Sequence, residues 1–245
     1  MKKFYFIIVL VMLVDLTGGF AQKANDVYNF PVKRGTEQWN ALKSYQDKRN
    51  ACTLPESLLA TISTKGLIET YLDYPLLGDL MVFSTPQEGI RKLQENFNGA
   101  RELLKRKDVA TLLLEKYTSM NPAAAGTQMS LEKKGEYSFK IMAIEILLAQ
   151  ESVLASLDAR DRKVLLSLAQ EKLDAKKNDQ EVYGSLSYST TGWIMARILK
   201  QSNYTPALNS LRDEKYKFFA DQGVVADYAV LDNVVSQTKQ YLSKN

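Results

Sequence analysis

The chain contains no histidine and one cysteine, so the chemistry open to it is narrow. Ser-His-Asp and Cys-His nucleophiles, HExxH zinc sites and His-ligated haem all need an imidazole, and none can be built here. Carboxylate chemistry remains: two Asp or Glu side chains flanking a bond, one giving and one taking a proton, as in glycoside hydrolysis. Glu69, Asp73, Glu145 and Glu151 are available for it, but no spacing brings two of them into one pocket. Two Ser-x-x-Lys tetrads, at Ser130 with Lys133 and Ser236 with Lys239, match the pattern of penicillin-recognising acylases. With 17 Ser and 23 Lys in 245 residues, chance alone supplies about 1.6 such tetrads, and neither SDN nor KTG accompanies them. Gly-rich phosphate loops, EF-hand loops and dinucleotide fingerprints are absent from the sequence, and no cofactor or metal is implied.

Two segments have the composition of binding elements. Tyr183-Gly-Ser-Leu-Ser-Tyr188-Ser-Thr-Thr-Gly-Trp193 mixes aromatics with small polar residues and reads as a loop. Tyr183, Tyr188 and Trp193 could contact a glycan or peptide there, or could anchor the loop on the core. Arg101, Lys105 and Arg106, with Lys107, form a basic cluster at a predicted helix end. Such a cluster either meets an anionic partner or complements the negative end of the helix dipole. Cys52, in Ala51-Cys52-Thr53-Leu54, has the apolar surroundings of a buried packing residue, with a reactive or intermolecularly bridged thiol as the alternative.

The elements that must position these residues are helices. Asp26 to Lys33, with Val27, Tyr28, Phe30 and Val32 around Pro31, suits an extended arm. A succession of short helices follows. One runs from Thr36 to about Asn50, one starts at Pro55, and one is capped at Ser63 or Thr64 and stopped by Pro75. Others follow Pro75 and Ser84, with breaks near Asn96 to Gly99, and then cover Arg101 to Arg106 and Val109 to Tyr117. Asn121-Pro-Ala-Ala-Ala-Gly126 reads as a linker. Beyond it Ser130 caps a long helix reaching Leu157, followed by helices over Ala159–Lys176, Thr191–Gln201, Pro206–Ala220 and Asp227–Leu242. On the long helix Ser138, Glu145, Ser152 and Ser156 share a narrow polar stripe, so Glu145 is either a general acid or part of a seam facing water or a neighbouring basic side chain.

The expected fold is all-α: an irregular bundle or a short α-solenoid-like stack of about 9–11 helices with an extended N-terminal arm. No pattern recurs at the 33 to 47 residue period of helical repeats. Lys2 and Lys3, an apolar run from Phe4 to Val14, and Gly19 and Ala21 in a small-x-small pattern read as a secretory signal over 1–21, cleaved near Ala21. The apolar run is too short to span a bilayer, a retained amphipathic anchor being the other reading. The rest divides into 22–121, of short helices, and 127–245, of longer ones, as two domains or one continuous one. Removing Lys2, Lys3 and Asp15 leaves 30 basic against 27 acidic residues, too even a balance to suggest nucleic acid.

The stretches Phe30-Pro-Val-Lys-Arg-Gly-Thr-Glu-Gln-Trp39, Ala51-Cys-Thr-Leu-Pro-Glu56 and Ser63-Thr-Lys-Gly-Leu-Ile-Glu-Thr-Tyr-Leu-Asp-Tyr-Pro-Leu76 resemble a group of uncharacterised exported helical proteins of Bacteroidota, over about 26–120. The resemblance implies an exported compartment and a helical fold, and no activity. The functional expectation is therefore a periplasmic or secreted interaction module for an envelope or extracellular protein or glycan. The alternative is a His-independent, carboxylate-based hydrolase acting on envelope or extracellular polymers.

Overall fold

A computed structural model describes residues 26–124 and 129–244. The signal segment and the end of the expected linker lie outside the described residues. Among those described, the chain forms fourteen α-helices and no strand. They are α1 (Glu37–Ala41), α2 (Tyr45–Ala51), α3 (Glu56–Leu59), α4 (Thr64–Leu72), α5 (Pro86–Asn96), α6 (Asn98–Leu103), α7 (Val109–Ser119), α8 (Leu131–Leu148), α9 (Glu151–Ser156), α10 (Ala159–Lys177), α11 (Ser185–Gln201), α12 (Thr205–Ser210), α13 (Glu214–Gln222) and α14 (Tyr228–Lys244). Short 3-10 turns occupy Leu77–Met81 and Pro122–Ala124.

Local chemistry accounts for most starts. The hydroxyls of Ser63, Thr85 and Ser130 accept the backbone N–H groups of Gly66, Glu88 and Lys133, and Pro86 fits the first turn of α5. Ser44 and Asp47 form a reciprocal capping box. That box splits the helix expected over Thr36–Asn50 into α1 and α2. Asp213 does the same between α12 and α13, where a single helix is expected, because its carboxylate caps Lys215 and Tyr216. The helix expected to run to Leu157 ends at Leu148. The Ala149 carbonyl accepts a 2.7 Å bond from the Arg197 guanidinium and Gln150 folds its amide back onto Ile146, so the ladder gives way to α9.

Packing is organised around α11, whose residues from Ser189 to Leu199 are all buried, and which touches α8, α9, α10, α12, α13 and α14. A helix buried on nearly its whole circumference must be apolar or have its polar groups satisfied. Here Trp193, Ile194, Met195, Ile198 and Leu199 supply the apolar part. One cluster of buried side chains extends from Phe30 to Val235 and includes residues on both sides of the 121–126 segment. The arm Asp26–Lys33 carries no helix and is held on α4: Ser63 donates its N–H and hydroxyl to the Asp26 carboxylate at 2.6 and 2.9 Å. The Tyr28 N–H reaches the Thr70 hydroxyl at 3.0 Å, and Phe30 packs on Tyr74 and Phe97. No described helix is long and apolar enough to cross a membrane.

Candidate functional site

Glu145 is fully buried on α8, and its partners come from three other helices. Tyr117 of α7 donates to Oε1 at 2.8 Å, and Lys176 of α10 reaches both oxygens at 2.8 and 2.9 Å. The Thr190 and Thr191 hydroxyls of α11 lie at 2.6 and 2.9 Å. Lys176, also fully buried, donates further to the Ser187 carbonyl and the Thr191 hydroxyl. Burial pushes the Lys176 ammonium down, and the Glu145 charge opposes that shift. Burial and then Glu145 hold the Tyr117 phenol well above its usual range. Of the two readings of Glu145, the seam against a basic side chain describes this arrangement. The stripe it was placed on does not continue to Ser152 and Ser156, which sit exposed on α9.

The segment read as an aromatic loop is helical from Ser185 onward. Of its small polar residues, Thr190 and Thr191 bond both Glu145 and the Ser187 carbonyl, and Ser189 returns to the Ser185 carbonyl, so a loop-like composition serves the buried face of a helix. Tyr183 and Trp193 are fully buried. The Tyr183 hydroxyl donates to the Pro122 carbonyl at 2.9 Å, the Trp193 indole to the Ala220 carbonyl at 2.9 Å, and the half-buried Tyr188 hydroxyl to the Lys176 carbonyl at 3.4 Å. Of the two readings of these side chains, contact with a ligand or anchoring on the core, anchoring is the one these bonds and the burial of Tyr183 and Trp193 describe. In the basic cluster, Arg106 is taken by the Glu102 carboxylate and the Leu59 carbonyl, whereas Arg101 and Lys105 remain exposed. Burial pushes the Cys52 thiol up to about 11, and a fully buried thiol neither reacts nor bridges to another chain.

A second buried cation lies nearby on α11. Arg197 donates to the carbonyls of Ala149, Ala220 and Asp221 at 2.7 to 2.9 Å and to the Gln87 amide at 2.9 Å, with its guanidinium 4.2 Å from the Trp193 ring centroid. It thereby satisfies carbonyls where α8 and α13 end. Burial pushes its pKa down to about 10.

A cleft of about 810 Å³, within the size range of ligand sites, opens between the arm, the C-terminal end of α4 and the first half of α8. Lys33, Arg34 and Asn29 of the arm are exposed along it, and the rings of Tyr28 and Phe139 are half-buried in its walls. On the opposite side the Lys140 ammonium sits 3.0 Å from Asp73 and 3.1 Å from Glu136. Although burial pulls Lys140 down, hydrogen bonds and charge from Asp73 and Glu136 prevail and raise its pKa. Of the carboxylates singled out from the sequence, only Asp73 lines the cleft, while Glu69 and Glu151 pair with Lys116 and Lys200 elsewhere. The cleft was missed from sequence. Its available signal was an arm rich in aromatics that ends in Lys33-Arg34. Among the described residues, no group of three or more Cys, Asp or Glu could hold a metal ion. No known family model, curated protein or solved structure matches the chain.

Proposed function

We propose that this chain is an exported helical interaction module. In this reading the signal over 1–21 is removed near Ala21, and the protein acts in the periplasm or outside the cell, as the resemblance to exported Bacteroidota proteins also suggests. It engages a protein or glycan of the envelope or medium in the cleft between arm and α8. One observation carries the proposal: the cleft is large, open, lined by half-exposed rings and charged groups, and walled by an arm that is held in place, since Asp26 and Tyr28 bond Ser63 and Thr70 at α4 and Phe30 packs on Tyr74 and Phe97. Affinity purification from native envelope and medium tests it, comparing the wild-type chain with Phe139→Ala and Lys33→Glu. Partners that co-purify with the wild type and are lost from both variants support the cleft, and a capture indifferent to both overturns it.

The hydrolase has one observation in its favour. Contacts of 3.0 and 3.1 Å to a single nitrogen keep one Asp73 oxygen and one Glu136 oxygen no more than about 6 Å apart, a spacing seen in glycosidase carboxylate pairs. The chemistry speaks against it, because the Lys140 ammonium fills the space in which a scissile oxygen would have to sit. Turnover of a polysaccharide by the purified chain, abolished in Asp73→Asn, would favour the hydrolase.

A further inference from the structure

The two walls of the cleft carry opposite charge. On the arm, Lys33 and Arg34 are exposed, and among the described residues neither forms an ion pair. The Arg34 charge is felt at Asp79 without direct contact. Across the cleft, the described residues that line the wall are three carboxylates, Asp73, Glu132 and Glu136, and one cation, Lys140, so the lining there keeps an excess of negative charge. A polyanionic glycan or an anionic lipid would satisfy the first wall and be repelled by the second, and a polycation would meet the reverse. A neutral sugar would hydrogen-bond either wall but pair none of the opposed charges.

The main chain of the arm adds an independent observation. Among the described residues, 27–32 form no backbone–backbone hydrogen bond, and the Tyr28 N–H is spent on Thr70. The main-chain groups of Asn29, which lines the cleft, are thereby left for an incoming extended chain, as at the open edge of a sheet, while Pro31 limits how far such pairing can run. We infer that the cleft takes an extended polypeptide segment carrying both acidic and basic side chains, laid along the arm. This rests on the cleft being the binding site, and it names the class of ligand.

The test uses the chain lacking 1–21 and three fluorescent peptides of equal length and β-propensity: one with alternating Glu and Lys, one with Glu only and one with Lys only. Oligogalacturonate serves as an anionic glycan competitor, and fluorescence anisotropy gives the affinities. The mixed peptide should bind most tightly, and backbone N-methylation of it should weaken binding. Lys33→Glu with Arg34→Glu, at two exposed positions and checked by circular dichroism for an unchanged fold, should shift preference towards the Lys-only peptide by about tenfold or more. The inference is overturned if the three peptides bind equally, if none binds, or if oligogalacturonate displaces the mixed peptide or outbinds it. If peptides fail while co-purification remains sensitive to Phe139→Ala and Lys33→Glu, only the ligand class falls; if both fail, the cleft itself falls.

Discussion

Replacing Lys176 by Met leaves the Glu145 carboxylate buried on α8 without its paired cation, Lys172 acting on it only at a distance. The remaining partners, Tyr117, Thr190 and Thr191, supply neutral hydrogen bonds at 2.6 to 2.9 Å. Breaking a buried ion pair from one side costs roughly 3–5 kcal/mol, because the surviving charge has lost both water and partner. For a chain of this size each kcal/mol lowers Tm by about 2–4 °C, so Lys176→Met should melt roughly 6–20 °C below the wild type. Glu145→Gln combined with Lys176→Met removes both charges and should recover a large part of the loss, since the cost comes from the unpaired ion. Urea titration followed by circular dichroism measures both, with an unchanged m value showing that the transition is the same. The reasoning is refuted if the single variant lies within about 1 kcal/mol of the wild type, or if the double variant is no more stable than the single one.

Arg197→Met removes the donor that serves the ends of α8 and α13, and should cost about 3–5 kcal/mol by the same urea assay, with exchange of α9 and α13 amides speeding up first. A Cβ at Gly89 would lie 2.1 Å from the Leu80 carbonyl oxygen, a backbone atom that cannot swing away. Gly89→Ala should therefore cost at least about 1–3 kcal/mol, whereas Gly135→Ala, on α8 with nothing within 4 Å, should stabilise by about 0.5–1 kcal/mol; thermal melts distinguish the two. The Ser63 N–H holds the Asp26 carboxyl below its ordinary value of 3.8; desolvation opposes this, and the Ser63 hydroxyl adds to it. A carboxylate with a lowered folded pKa contributes stability above its unfolded value and loses it as pH falls through the folded one. The Asp26 end of the arm should thus loosen below about pH 4 while Tyr28 and Phe30 keep the rest in place, seen as faster hydrogen exchange next to Asp26, and Asp26→Asn should abolish that dependence on acid.

Several helix ends decided by one side chain or ring were legible, Ser63 before α4, Pro86 in α5, Ser130 before α8 and the stop at Pro75, whereas the equally local caps at Ser44 and Asp213 were passed over inside longer apolar patterns. The extended character of the arm was also local, since Pro31 and its β-branched and aromatic neighbours favour it directly. The breaks were not legible when their cause was distant. α8 ends at Leu148 because of Arg197, 48 residues beyond the carbonyl it caps, and no local pattern signals that. The polar stripe identified Glu145, but its cation lies 31 residues away on another helix. The run from Ser185 to Thr191 has the composition of a loop, and it is helical with the Ser189, Thr190 and Thr191 hydroxyls turned onto Glu145 and the carbonyls of the preceding turn. The cleft joins an arm ending near Arg34 to a helix face around Lys140, and only the packing of α4 between them brings the two walls together.

The most direct test of the cleft as the functional surface is photo-crosslinking in the native cell and its medium. Benzoylphenylalanine would replace Asn29, exposed in the cleft, or Lys239, exposed on α14. A discrete adduct formed from position 29 and not from position 239, and suppressed by the mixed-charge peptide, is the expected result. Adducts of equal yield from both positions, or from position 239 alone, would contradict it.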